Sequence, residues 1–98
     1  MAIQSFKNSG TEDINYGRVT KQSLRILPKE LHRKAQVKLA RLSAASNLLD
    51  LKSLPGNRFE ALKGERKGQY SIRINDQYSI CFRWESEHTF DVEIVGYH

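Results

Sequence analysis

The chain has 98 residues and a net charge of +5, and this length predicts a single domain over residues 1–98. Its single cysteine excludes an internal disulfide, and 39% hydrophobic residues is too many for a disordered tail. No segment resembles a signal peptide or approaches the roughly 20 apolar residues of a membrane span, so we expect a cytoplasmic protein that does not bind membranes.

The first half of the chain predicts a short strand followed by helices. Ala2–Phe6 alternates apolar and polar residues, which indicates a strand, and the polar residues 7–19 indicate a loop with a short helical turn. Leucine and alanine recur at helical spacing over residues 21–45. Because proline removes a backbone donor, Pro28 divides this stretch into a helical pair and begins the second helix, which is long and basic. Residues 48–54 predict one further turn.

The second half of the chain predicts strands, because its apolar residues recur with a period of two. Residues 58–63 indicate a first strand, and residues 69–74 and 78–84 indicate two more. A last strand carries Phe90, Val92 and Ile94 on its apolar face. Consecutive strands joined by short turns form an antiparallel meander, so we expect an α+β fold with helices first and sheet second.

The basic residues are concentrated in one part of the sequence. Residues 18–73 contain 14 Lys or Arg against four Asp or Glu, a local balance of +10. Such a segment attracts polyanions, of which nucleic acid is the commonest. An acidic protein surface is an equally compatible partner.

The polar face of the predicted sheet has residues suited to cleaving RNA. It presents Arg73 and Arg83, and two further groups lie nearby in sequence: the loop cations Lys63, Arg66 and Lys67, and the terminal pair Tyr97 and His98. Attack by the RNA 2′-hydroxyl on its phosphate needs a base, an acid and cations around phosphorus. Histidine serves as acid or base near neutral pH, and tyrosine stacks on a base.

Each of these features also has a simpler interpretation. Residues 63–68 are compatible with an ordinary basic hairpin loop, and a terminal histidine with a frayed end. Glu60 and Glu65 are candidate acid or base carboxylates, although surface charge is the commoner role for glutamate. The three histidines are not at metal-ligand spacing, so the sequence predicts neither a metal nor a cofactor.

Several motifs together resemble a known family. They are Leu54–Phe59 (LPGNRF), Leu62–Ile72 (LKGERKGQYSI), Ile80–Trp84 (ICFRW) and Asp91–His98 (DVEIVGYH). Over nearly the whole chain, they resemble plasmid-maintenance killer toxins of the HigB branch of the RelE superfamily. The resemblance implies a RelE-like fold, in which an N-terminal strand and a helical pair pack on a curved antiparallel sheet.

The same resemblance implies a function. Members of this family are toxins of type II toxin–antitoxin systems that cleave mRNA on the ribosome without a metal. It further implies a HigA-type helix-turn-helix antitoxin as partner, through which the toxin reaches operator DNA. By position, Tyr97 and His98 match the family's terminal functional residues, and Lys63 and Arg66 match its RNA-contacting loop.

The chain departs from the family pattern at three positions. Many relatives have aspartate where this chain has Gly96, most have arginine where it has Ser79, and some have histidine where it has Glu60. Loss of one phosphate-facing arginine would cost about 10²–10³ in rate. We expect Arg73 and Arg83 to replace part of that charge.

The departures leave three hypotheses open. The first is an active ribosome-dependent endoribonuclease that inhibits translation. The second is a catalytically weak or disarmed toxin that acts by binding its antitoxin and the ribosome. The third is a toxin directed at DNA gyrase, which the Tyr97–His98 ending and the basic loop disfavour.

Overall fold

The computed structural model describes residues 3–96. Four helices precede four strands: α1 (Ser9–Asn15), α2 (Lys21–Ile26), α3 (His32–Ala44), α4 (Leu48–Lys52), β1 (Glu60–Ala61), β2 (Gln69–Arg73), β3 (Tyr78–Glu85) and β4 (His88–Gly96). The strands form one antiparallel sheet in the order β1-β2-β3-β4. This arrangement confirms the predicted α+β fold. Within the described residues, no helix is long and apolar enough to cross a membrane.

The segment predicted as a loop with a short turn contains the seven-residue helix α1. The helix begins at Asn8, whose side-chain Oδ1 accepts a hydrogen bond from the Thr11 amide at 2.8 Å. Helix α2 begins similarly, because Thr20 and Ser23 form a reciprocal capping box. Both helices are therefore started by polar side chains outside the apolar pattern on which the prediction depended.

The predicted helical pair is present and is divided near Pro28. Pro28 has extended geometry (φ −55°, ψ 143°) and is followed by one 3-10 turn at Lys29–Leu31, after which α3 begins at His32. Pro28 thus precedes the second helix instead of occupying its first position. The turn predicted for residues 48–54 contains the short helix α4, which is capped by Asn47.

Two predicted strands are shorter than the sequence pattern indicated. The strand predicted for residues 58–63 forms ladder pairs at Glu60 and Ala61 alone. A left-handed Arg58 (φ +44°) interrupts it on one side, and the 3-10 turn at Gly64–Arg66 follows on the other. In the predicted N-terminal strand, Ile3 and Phe6 form single parallel bridges to β4, and the chain then turns into α1. Ala2 lies outside the described residues.

A β-bulge changes the alternation of the last strand. Cys81 of β3 lies opposite Glu93, whereas Arg83, two residues later, lies opposite Phe90. One extra residue of β4 is accommodated there, and Asp91 has φ +53°. The prediction that Phe90 shares the apolar face with Val92 was wrong, because the bulge turns Phe90 away from the core.

The core lies between the helices and one face of the sheet. Its members are aliphatic or aromatic and almost fully buried, among them Ile14, Leu27, Ala35, Leu39, Leu42, Leu51, Ile72, Ile80, Phe82, Val92 and Ile94. Helix α1 also holds β4 directly, because the Ile94 amide donates to the Thr11 hydroxyl at 3.1 Å. Covering this face leaves the opposite, more polar face of the sheet available for a site.

Candidate functional site

A polar pocket of about 120 Å³ lies at one end of the uncovered face of the sheet. Its lining residues come from three strands and the segment before them: Arg58, Glu60, Ser71, Arg73 and Ser79. Strand register explains the grouping, since Glu60 lies opposite Ser71 and Arg73 lies opposite Ser79. Two guanidinium groups therefore share a small space with one carboxylate and two hydroxyls, an arrangement suited to an oxyanion.

Both pocket arginines are linked to the backbone of Asn57, one by a peptide bond and the other by a hydrogen bond. Arg58 directly follows Asn57, and the Arg73 amide donates to the Asn57 carbonyl at 2.6 Å. The Arg73 guanidinium also lies 3.7 Å from the carboxylate of Asp76, which is fully exposed. Solvent screens such a pair, so most of the charge of Arg73 is available to a ligand.

The structure separates the two arginines that the sequence grouped on the polar face. Arg83 lies opposite Gln69, four residues along β3 from Ser79, which corresponds to roughly 13 Å at strand rise. Arg83 Nε donates to Asp91 Oδ2 at 2.8 Å, and its Nη1 donates to Glu85 Oε2 at 2.7 Å. These two hydrogen bonds, that to Asp91 first, raise the pKa of Arg83 above its ordinary value. Its guanidinium carbon also lies 5.2 Å from the centre of the Phe90 ring.

The predicted basic loop precedes β2 and includes a 3-10 turn at Gly64–Arg66. Lys63 and Lys67 are exposed on either side of this turn. Arg66 is partly buried, and its Nη1 donates to Gln69 Oε1 at 3.0 Å and to Glu93 Oε1 at 3.2 Å. The loop therefore offers two lysines to solvent, while its arginine is held against the sheet.

The predicted terminal residues Tyr97 and His98 lie outside the described residues. Gly96, the last described residue, lies opposite Tyr78, which is the neighbour of Ser79 in the pocket. Strand β4 therefore ends beside the pocket. Across residues 3–96, no group of three or more His, Cys, Asp or Glu is placed to hold a metal ion.

Two pocket residues are hard to recognise from the sequence. Arg58 does not stand out from the other basic residues, and the Glu60 carboxylate is also compatible with ordinary surface charge. The available signal was their position, because both follow the Pro55–Gly56 breaker and precede a strand of the polar face. Sequence alternation did not reveal that Arg58 turns into the pocket, because its left-handed backbone interrupts the alternation.

Comparison with known proteins identifies the family. The family described as the RelE-like toxin of type II toxin-antitoxin system HigB matches residues 5–98. The chain belongs to the HigB-like toxin family. Toxin HigB-1 of Vibrio cholerae is 45% identical over 60 residues, which are 61% of this chain and 63% of that toxin. An uncharacterized protein of Haemophilus influenzae is 38% identical over 60 residues, which are 61% of this chain and 59% of that protein. The matched region thus spans less than two thirds of either relative.

Solved structures give the same fold. A YoeB–YefM complex from Staphylococcus aureus has a TM-score of 0.60 at 19% identity, over 100% of this chain and 99% of that one. A heterotetrameric YoeB–YefM toxin–antitoxin complex from the same organism has a TM-score of 0.59 at 19% identity, with the same coverage. The HigB-like chain therefore has the α+β fold of these toxins, which confirms the expected RelE-like architecture.

Proposed function

We propose that this HigB-like toxin is an endoribonuclease that cleaves mRNA on the ribosome with its own side chains and no cofactor. The observation that carries the proposal is the pocket in which Arg58, Arg73 and Glu60 meet. Its chemistry fits a phosphodiester: two cations for the phosphate oxygens and a carboxylate for a proton. Membership of the HigB-like family supports the same substrate class.

The proposed reaction is an internal transfer within the RNA. The 2′-oxygen attacks the adjacent phosphorus while the bond from phosphorus to the 5′-oxygen breaks, which leaves a 2′,3′-cyclic phosphate and a 5′-hydroxyl. Glu60 accepts the proton of the 2′-hydroxyl, and His98 donates a proton to the departing 5′-oxygen. Arg58 and Arg73 stabilise the negative charge that develops on the phosphate oxygens.

The course of β4 supports the assignment of His98. Strand β4 runs toward the pocket as far as Gly96, which lies opposite Tyr78, the neighbour of Ser79, and His98 follows Gly96 by two residues in the sequence. Tyr97 stacks on or orients the substrate base. Lys63, Arg66 and Lys67 contact the RNA backbone, and Arg83 makes a more distant phosphate contact, weakened by its two carboxylate partners.

We further propose a HigA-type helix-turn-helix antitoxin as the protein partner, through which the toxin reaches operator DNA. One of the similar solved structures is a heterotetrameric YoeB–YefM toxin–antitoxin complex. The balance of +10 over residues 18–73 fits an acidic antitoxin surface. Helix α3 presents part of this charge to solvent as Arg33, Lys34 and Arg41.

One observation favours a second candidate, a disarmed toxin that binds antitoxin and ribosome without effective cleavage. Ser79 is 7% exposed and lines the pocket, at the position where the family resemblance implies an arginine. A hydroxyl there supplies no charge to a phosphate. The two candidate functions differ only in whether Arg58 and Arg73 are sufficient for cleavage when residue 79 is a serine.

The deciding experiment induces three versions in cells and measures growth and mRNA integrity: the natural chain, Ser79→Arg and His98→Ala. We expect the natural chain to stop growth with mRNA cut within codons, and His98→Ala to do neither. If only Ser79→Arg is toxic, the natural chain is a disarmed toxin. If none of the three cleaves mRNA, the nuclease proposal is wrong, and accumulated DNA breaks would instead indicate a gyrase-directed toxin.

A further inference from the structure

Asn57 is a fully buried polar residue behind the pocket, and its polar groups reach three parts of the fold. Its side-chain Oδ1 accepts a hydrogen bond from Lys38 Nζ of α3 at 2.7 Å, and its Nδ2 donates to the Leu51 carbonyl of α4 at 3.1 Å. Its backbone carbonyl accepts from the Arg73 amide of β2 at 2.6 Å. Asn57 therefore connects two helices to the strand that carries a pocket arginine.

Lys38 is an unusual partner for this asparagine. Its side chain lies among the core residues of α3 and is 7% exposed, although buried lysines are normally paired with carboxylates. Within residues 3–96, no carboxylate lies within 4.0 Å of its ammonium group, whose hydrogen-bond acceptor is the neutral amide of Asn57. Burial and the neighbouring Arg41 and Lys34 lower the pKa of Lys38. Burying an ammonium group without a carboxylate partner lowers the stability of the fold, so stability by itself does not explain Lys38.

The hydrogen bonds of Asn57 lead to the two arginines of the pocket. Arg58 is the next residue after Asn57, and its left-handed backbone places its side chain in the pocket lining. Arg73 is fixed by the hydrogen bond from its own amide to the Asn57 carbonyl. Any shift of Asn57 therefore moves one arginine through a peptide bond and the other through a hydrogen bond.

We propose that Lys38 and Asn57 are positioning residues, which hold Arg58 and Arg73 at the separation that binds one phosphate group. The inference rests on the proposed function only in taking the pocket as a phosphate site. Lys38 anchors the Asn57 side chain, and the Asn57 backbone sets the two arginines. Neither residue lines the pocket, so both act through the arginines.

The second effect of Lys38 is electrostatic. A poorly solvated cation that is bonded to Asn57, the residue before Arg58, raises the positive potential in the pocket more than an exposed cation does. Replacing Lys38 with methionine removes both the anchor and the charge but preserves an unbranched apolar side chain. A purely structural lysine would lose stability on this change, because the buried Asn57 Oδ1 loses its donor, but the phosphate affinity of the folded protein would stay unchanged.

The test uses the full chain labelled with ¹⁵N and inorganic phosphate as the probe. The resonances of the Arg58 and Arg73 Nε–H groups are followed during titration, and exchange of the Arg73 amide is measured separately. The variants are Lys38→Met, Lys38→Arg as the conservative rescue, and Lys34→Met as the matched control. Lys34 is exposed on the same helix, so its replacement removes the same charge without disturbing Asn57.

We expect Lys38→Met to weaken phosphate binding about tenfold and to accelerate Arg73 amide exchange by a similar factor, as for a lost charged hydrogen bond. Lys34→Met should stay within about twofold of the natural chain, and Lys38→Arg should recover most of the affinity. Equal affinities for Lys38→Met and Lys34→Met would overturn the inference. So would a natural chain whose Arg58 and Arg73 resonances do not respond to phosphate.

Two further measurements distinguish failure of this inference from unfolding of the variant and from failure of the proposed function. If circular dichroism shows that Lys38→Met is unfolded, Lys38→Gln replaces it, since glutamine is polar but one bond shorter than lysine, so it weakens the hydrogen bond to Asn57 and removes the charge. Weakened phosphate binding is again expected, and unchanged binding overturns the inference. Cleavage of mRNA on ribosomes by the natural chain is measured independently. Its absence, together with Lys38-dependent phosphate binding, removes the nuclease proposal and leaves the positioning role intact.

Discussion

Arg73 and Arg83 lie on the same face of adjacent strands, yet their surroundings differ in the sign of the local charge. In the pocket, Arg73 shares its space with a second arginine, Arg58, and with one carboxylate, that of Glu60. At the other end of β3, Arg83 donates to two carboxylates, those of Asp91 and Glu85. The groups that line the pocket have a formal charge of +1, since the Asp76 carboxylate near Arg73 lies outside the lining and is fully exposed, and the groups around Arg83 have a formal charge of −1.

This difference shows that the number of cations on a surface does not identify an anion site. What matters is whether carboxylates of the same chain already balance those cations. Arg83 is occupied by carboxylates and holds the bulged part of β4 in place. Arg73 and Arg58 together outnumber Glu60, the one carboxylate that lines the pocket, so an added phosphate balances their remaining charge.

Among the tests of this contrast between Arg73 and Arg83, Arg73→Ala should have the largest effect. That effect is on mRNA cleavage. We expect the rate of mRNA cleavage on purified ribosomes to fall about 10²–10³-fold, because one of the two groups that stabilise the developing phosphate charge is lost. Arg33→Ala, an exposed change on α3, is the control and should leave the rate nearly unchanged. Equal losses in the two variants would show that general basicity, and not the pocket, determines activity.

The next prediction concerns stability behind the pocket. Asn57→Ala should lower the free energy of unfolding by about 2–3 kcal/mol, since Lys38 and the Leu51 carbonyl lose their buried partner. Urea denaturation measures this change. For comparison, Asn75→Ala removes a turn hydrogen bond acceptor at a more exposed site and should cost only about 1 kcal/mol. A smaller effect at Asn57 than at Asn75 would contradict the described network.

The smallest expected effect is that of Arg83→Ala on cleavage. Because Arg83 is already paired with Asp91 and Glu85, we expect the rate to fall by less than about fivefold. The same ribosome assay compares it directly with Arg73→Ala. If the two variants are equally impaired, the carboxylates of Asp91 and Glu85 do not reduce the role of Arg83, and the contrast between the two ends of the sheet fails.

Much of the fold follows from periodicity in the sequence. The helical pair, its interruption near Pro28, and strands β2 and β3 lie where apolar spacing predicted them, because local alternation directly reports which face is buried. Phe90 shows the limit of this rule. A bulge depends on how two strands pair, and one extra residue reverses the face of every side chain beyond it.

The candidate site was less accessible from the sequence for a similar reason. Arg73 could be placed on the polar face, but its pairing opposite Ser79 depends on strand register. Arg58 reaches the pocket through a left-handed backbone, which no side-chain pattern records. The bond between Lys38 and Asn57 joins residues 19 positions apart, in segments that the sequence places in different elements.

The parallel bridges of Ile3 and Phe6 to β4 also constrain when the toxin becomes folded during its synthesis. The Asp91 amide donates to the Ser5 hydroxyl across a separation of 86 residues, so the N-terminal segment must wait for β4 to be made. At ordinary elongation rates this delay is about 4–17 s. The N-terminal segment therefore lacks its bridges to β4 for several seconds after its own synthesis, and the sheet is completed only when β4 has been made.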